Sequence, residues 1–254
     1  MDTMILRSSP TLSSTARLPR VMTFRPNLKA LAIAASLLLG TAVSSHARTI
    51  TWGSAVDDTL LYSAGGSLGD DVVFQLGSFG TGFTPDASNM SQWLPNWKVF
   101  DQAAAPASSG WNSAEGLFSS TATLNSDGTS TYLSPYTFAE GEQAYIWAFK
   151  VDQTLANGGE WALVTNDSSD GNAADDWLFP AHADQTALPL EWRLSNATVV
   201  VFGGLNDVQG AGDHNSDPAV FNLQLHAVVP EPGSSVLLGV AAVGLCLRRR
   251  RMTM

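Results

Sequence analysis

Apolar and polar side chains alternate with a period of two in several stretches of the middle of the chain, the pattern of strands with one buried face. Phe221, Leu223, Leu225 and Ala227 fall on one side of an extended segment, and Asn222, Gln224 and His226 on the other. This predicts an inward apolar face and places His226 at the surface. Tyr145, Trp147, Phe149 and Val151 line one face of a second segment, and Val72, Phe74 and Leu76 suggest a third. Further β-rich runs occupy residues 49–52, 59–62, 117–124, 161–165, 190–194 and 198–202. Turn-forming stretches separate them, most clearly Asn125-Ser126-Asp127-Gly128 and Asn157-Gly158-Gly159. Many short strands with hardly any long helical period predict an all-β fold, an antiparallel β-sandwich of jelly-roll type. One helix is expected over residues 91–105, followed by a loop over 106–110. No internal repeat is visible.

The two ends break this pattern. Residues 30–43 are uninterruptedly apolar or small, follow Arg20, Arg25 and Lys29, and lead into Ser45-His46-Ala47. A basic entry, an apolar run of this length and small residues at the exit predict a signal peptide over residues 1–47, cut by signal peptidase between Ala47 and Arg48. The stretch before Met22 is polar and serine-rich, and Met22 is an alternative first residue. Residues 48–229 form the exported domain, and residues 230–254 a separate tail.

That tail reads Pro230-Glu231-Pro232, then an uncharged span over residues 233–247, then Arg248, Arg249, Arg250 and Arg251. The combination resembles the PEP-CTERM sorting domain of bacterial exported proteins. The resemblance covers only about the last 25 residues, and implies recognition and processing by an exosortase, with no catalytic residue contributed by this chain. The prolines fix φ and withhold backbone donors, so the tripeptide stays extended. The arginines form a basic stop that holds the chain end in the cytoplasm while the apolar span lies in the bilayer. As a helix that span measures about 22 Å against a hydrocarbon core of about 30 Å, which favours a temporary anchor over a permanent one. The expected architecture is therefore a sandwich flanked by an N-terminal signal helix and a C-terminal membrane helix.

Charge and cysteine content narrow the function classes. Only four basic residues, Arg48, Lys98, Lys150 and Arg193, lie in residues 48–229 against 21 acids, a net charge of −17. Such a surface repels a phosphate backbone and argues against nucleic acid as a partner. The single cysteine, Cys246, sits in the tail, so the domain has no disulfide and no thiol nucleophile.

All eight tryptophans lie in the domain. Trp147 and Trp161 fall in predicted strands, where core packing is the plainer role. Trp93 and Trp97, near Asn96 and Pro95, and Trp177, beside Asp175 and Asp176, are candidates for surface rings that stack on sugars. Asp213, Asn215 and Asp217 place oxygens at alternate positions as a calcium loop begins, but Pro218 stands where such a loop needs glycine and Gln224 where it needs glutamate. Asp167, Asp170, Asp175 and Asp176 form a second acidic loop, again without a full pattern. Calcium is the one metal considered, solvated acidic turns are the alternative, and no other cofactor is expected. His182, His214 and His226 belong to no catalytic motif, and the domain is not expected to be an enzyme. Asn89, Asn166 and Asn196 begin Asn-x-Ser/Thr triplets, which mean little in a protein sorted by a bacterial system. Two functions remain: a cell-envelope or extracellular-matrix protein delivered by its tail, or a carbohydrate-binding module for extracellular polysaccharide with the same delivery.

Overall fold

The computed structural model describes residues 47–132, 135–151, 159–182, 188–215 and 220–228. The expected signal run, residues 157 and 158 of the second turn, Asp217, and residues 230–254 lie outside them. Among the described residues no helix is long and apolar enough to cross a membrane.

The described chain is built from short strands: β1 (Arg48–Gly53), β2 (Leu60–Leu61), β3 (Val72–Ser78), β4 (Lys98–Ala104), β5 (Trp111–Asn112), β6 (Leu117–Leu124), β7 (Tyr145–Lys150), β8 (Glu160–Thr165), β9 (Leu190–Arg193), β10 (Val199–Phe202), β11 (Gly204–Leu205), β12 (Val208–Gln209), β13 (Leu223–Gln224) and β14 (His226–Ala227). They form three sheets, ordered β5-β6-β1-β9, β10-β8-β7-β3-β4 with β14 beside β8, and β12-β11-β13-β2. The fold is all-β and its pairing mainly antiparallel. The exceptions are β1 with β9 and β13 with β2, which pair parallel. These partners are far apart in sequence, so no hairpin constrains their direction. The jelly-roll form of the expectation goes further than these sheet orders do.

Ile50, Trp52, Phe118, Ala122, Leu124 and Trp192 of the first sheet share one core with Val72, Phe74, Leu76, Phe100, Ile146, Ala148 and Val164 of the second. Phe74 and Phe118 stack across it, with centroids 4.0 Å apart and planes 10° from parallel. The second sheet is also covered on its other face. There Phe79, Trp93, Tyr145, Trp147, Phe149, Trp161, Leu163 and Phe202 form a separate aromatic core. Hence β7 is buried on both sides, and Ile146 and Ala148, expected to face away from the core, are as buried as Trp147. Val151, expected inward, lies past the strand end and is 61 % exposed.

The second core also corrects the helix expected over residues 91–105. Only a 3-10 segment at Ala87–Gln92 and one α turn at Trp93–Asn96 form, and β4 begins at Lys98. Asp86 caps the segment reciprocally with Asn89: its carboxylate accepts from the Ser88 amide, while Asn89 Oδ1 accepts from the Asp86 amide. This cap lowers Trp93 onto the sheet, edge-on to Trp147 at 5.7 Å and to Phe202 at 6.3 Å. The Trp147 and Trp161 indole N–H groups have no hydrogen-bond partner among the described residues. Their rings meet at 73° with centroids 5.0 Å apart, an arrangement that offers a π face to a ring edge and offsets part of that desolvation.

A second correction concerns residues 221–227. Phe221, Leu223 and Leu225 are buried as expected, but so are Gln224 and His226, while Ala227 is only partly buried. The segment does not run as one half-exposed strand. Leu223 and Gln224 sit between β11 and β2, after which the chain crosses to pair His226 with Trp161 on β8. Both sides are therefore covered by other strands.

Candidate functional site

One edge of the second sheet is β4, and next to it runs a polar groove of about 670 Å3. Asp101 and Gln102 of β4, Ser119 and Ser120 of β6, Tyr132, and the loop Ala107–Gly110 line it. That loop follows a cis Ala105–Pro106 peptide, makes one 3-10 turn at Ala107–Ser109, and ends at Gly110 with φ of 100°. A side chain at Gly110 would strike Ala103 and the Ser119 carbonyl, so glycine lets the loop close onto β6.

Asp101 is only 4 % exposed. Its Oδ2 accepts from the Trp52 indole N–H at 2.7 Å, which fixes the carboxylate, and its Oδ1 has no hydrogen-bond partner among the described residues. Nearby, Tyr132 is held through its backbone amide, which donates to Ser130 Oγ at 3.0 Å. Among the described residues its hydroxyl has no partner. Burial raises the Tyr132 pKa, and the Asp101 carboxylate adds to the rise, so the group remains a neutral O–H at physiological pH.

Gln102 and Tyr132 also line a smaller recess of about 300 Å3, shared with Gln75, Trp97, Lys98 and Val99. A directional relay connects the two spaces. The Trp97 indole N–H can only donate and does so to Gln75 Oε1 at 2.8 Å; Gln75 Nε2 then donates to Gln102 Oε1 at 2.8 Å. This fixes both amides and leaves the Gln102 NH2 to the groove. Gly77 makes the arrangement sterically feasible, since a Cβ there would lie 2.7 Å from the Trp97 ring and 2.3 Å from the Lys98 carbonyl.

The structure separates the residues singled out from sequence. Trp93 and Trp177 are 0 % and 1 % exposed, so neither offers a surface ring. Trp93 belongs to the second core, and Trp177 packs on Trp192 with centroids 6.4 Å apart. Trp97 is partly buried, and it alone of the three lines the recess. Asp213 and Asn215 are exposed on a segment pinned by its backbone: Asp213 exchanges amide bonds with Ala227, and the Asn215 amide donates to the Ser63 carbonyl. Asp167 caps the 3-10 turn Ser168–Asp170 by accepting from the Ser169 amide. Among the described residues no three His, Cys, Asp or Glu side chains gather as a metal would require. His226 is wholly buried, correcting the surface position expected for it. Its Nδ1 lies 2.7 Å from the Ala211 carbonyl and its Nε2 2.8 Å from Gln209 Oε1, and it stacks on His214 at 4.0 Å. Ala47 is exposed, and Arg48 opens β1.

Residues 228–251 match a family model, the PEP-CTERM protein-sorting motif. The chain ends in a PEP-CTERM motif. The matched span takes in Pro230, Glu231, Pro232 and all four arginines of the basic stop, Arg248 to Arg251. PEP-CTERM marks an exported protein that is held transiently at the membrane and processed by an exosortase. No curated protein and no solved structure matches the chain.

Proposed function

We propose that this chain is an exported structural protein of the cell envelope or extracellular matrix, delivered through its PEP-CTERM tail. The observation that carries this reading is the match over residues 228–251 immediately after the last strand. Signal peptidase would cut between Ala47 and Arg48, freeing a domain whose first strand starts at the new terminus. Residues 233–247 would enter the bilayer as a short helix, Arg248 to Arg251 would stay in the cytoplasm, and Pro230-Glu231-Pro232 would stand just outside for the exosortase. The proposed role needs no catalytic group and no cofactor. An acidic domain held by two aromatic cores, with a net charge of −17, suits a soluble particle released among like-charged neighbours.

The test expresses the full chain in a host that has an exosortase. Replacing all four arginines by neutral residues should let the tail pass through the membrane, and Glu231→Ala should leave an unprocessed, anchored form. If both variants match the parent in size and location, the reading fails.

A further inference from the structure

We propose that the groove along β4 binds a neutral, hydroxyl-rich polymer, an uncharged polysaccharide, with Asp101, Gln102 and Tyr132 as its polar contacts and Trp97 as a stacking surface. The inference goes beyond delivery by the tail and does not depend on it.

Three side chains at the groove keep hydrogen-bonding capacity that no other described residue uses. Asp101 is more than nine-tenths buried, lines the groove, and has one carboxylate oxygen committed to Trp52 and the other without a partner among the described residues. The residue is buried, but this oxygen is not sealed off from solvent, so a hydroxyl entering the groove can reach it and donate to it. The relay from Trp97 through Gln75 orients Gln102 so that its NH2 is left as a donor. The Tyr132 hydroxyl, kept protonated, can both donate and accept. One fixed acceptor, one fixed donor and one group of either kind match a ligand whose own groups do both, as sugar hydroxyls do. Ser109 and Ser120 extend the same chemistry along the rim.

Charge sets the class more narrowly. Asp101 inside the groove and the acidic domain around it oppose uronates, sulfates and phosphates, so the fitting polymer is uncharged. The main groove and the adjoining recess, about 670 and 300 Å3, fall in the size range of small-ligand sites and suit a few sugar units of a longer chain. Trp97, held at one end by Gln75 and by Trp147 edge-on at 5.3 Å, supplies an apolar flank for the C–H face of a ring.

The full chain, purified in detergent micelles, would be run through native gels containing dextran, a mixed-linkage β-glucan or a galactomannan, with alginate as the anionic comparison. At least one neutral polymer should retard it, and alginate should not. Tyr132→Phe, which removes one oxygen, should weaken retardation at least fivefold, and Gln102→Ala similarly, with thermal unfolding unchanged. Asp101→Asn should weaken it about tenfold; should that variant not fold, the other two decide. Retardation by none of the three neutral polymers, retardation by alginate as strong as by any of them, or parental binding in both Tyr132→Phe and Gln102→Ala would overturn the proposal. The assay uses purified protein, so such a failure would leave the sorting reading intact, and loss of sorting would leave the groove unaffected.

Discussion

His226 should make this fold labile to mild acid. The ring is wholly buried between β12, β8 and the segment carrying Ala211, with Asp213 and His214 as its charged or titratable neighbours. Burial pushes its pKa down from 6.5 to about 4; the bond to the Ala211 carbonyl and the Asp213 charge act upward, and the stacked His214 acts downward. The neutral ring carries one proton, which Nδ1 gives to the Ala211 carbonyl. Its Nε2 must then accept, which requires the Gln209 amide to turn its NH2 inward. Gln209 is coupled to Gln224, so the mismatch passes along to the weakest links, the 3.3 Å contacts of Gln224 with the Tyr62 and Ser63 carbonyls.

A group harder to protonate folded than unfolded stabilises the fold fully above pH 6.5 and loses that contribution as pH falls towards 4. A fall from 6.5 to about 4 sets a ceiling of about 3.4 kcal/mol. Relaxation of the amides and the effective interior dielectric reduce this to about 1–2 kcal/mol. Urea unfolding of the parent and of His226→Gln, each at pH 7 and at pH 4.5, isolates the contribution. The parent should lose about 1–2 kcal/mol more than the variant on acidification. A parent that gains stability relative to the variant would mean that both acceptors hold a doubly protonated ring, refuting the reasoning.

Three further outcomes follow from packing and burial. Phe74→Ala removes a ring stacked on Phe118 inside the main core and should cost about 3–5 kcal/mol in denaturant unfolding; a loss under about 1 kcal/mol would contradict the shared core. Gly77→Ala drives a methyl into the Lys98 carbonyl and the Trp97 ring, so it should destabilise by about 1–3 kcal/mol and weaken the Trp97 to Gln75 contact, read by native-state hydrogen exchange of the indole N–H. Tyr62, Tyr136 and Tyr145 are each pushed up to about 12, chiefly by burial, and Tyr132 is raised as well. Folded protein should therefore show little tyrosinate absorbance at pH 10, and stability from these groups should be present below pH 10 and fade from there towards pH 12. Half-ionisation of the tyrosines by pH 10 in folded protein would contradict their environments.

Strand positions are largely legible: β3 and β7 fall on segments of alternating polarity, and β1, β2, β6, β8, β9 and β10 on β-rich runs, β6 over its full length. Burial on two sides is what alternation does not reveal. A period of two assigns one wet face, and neither β7, between two cores, nor the crossing at Leu225, between two sheets, has one. Within residues 91–105, where a helix is expected, Trp93, Trp97 and Phe100 recur at helical spacing, yet the first two belong to the aromatic cap and its exit and the third to β4. That misreading concealed Asp101 and Gln102, which do not stand out until Lys98–Ala104 is seen as an edge strand. The tryptophans show the same limit: composition identified an unusual supply of indoles, but only packing distinguishes Trp97 at a groove from Trp93 and Trp177 in the interior. The sorting motif is legible in the tail because its signal is order along the chain, which needs no fold.

The most direct test of the central claim compares the full chain in two otherwise identical hosts, one with an exosortase and one without. Intact mass and membrane fractionation would be read together. The account predicts a shortened, released form in the first, lacking Arg248 to Arg251, and a longer, membrane-held form in the second. The same mass and the same location in both would contradict it.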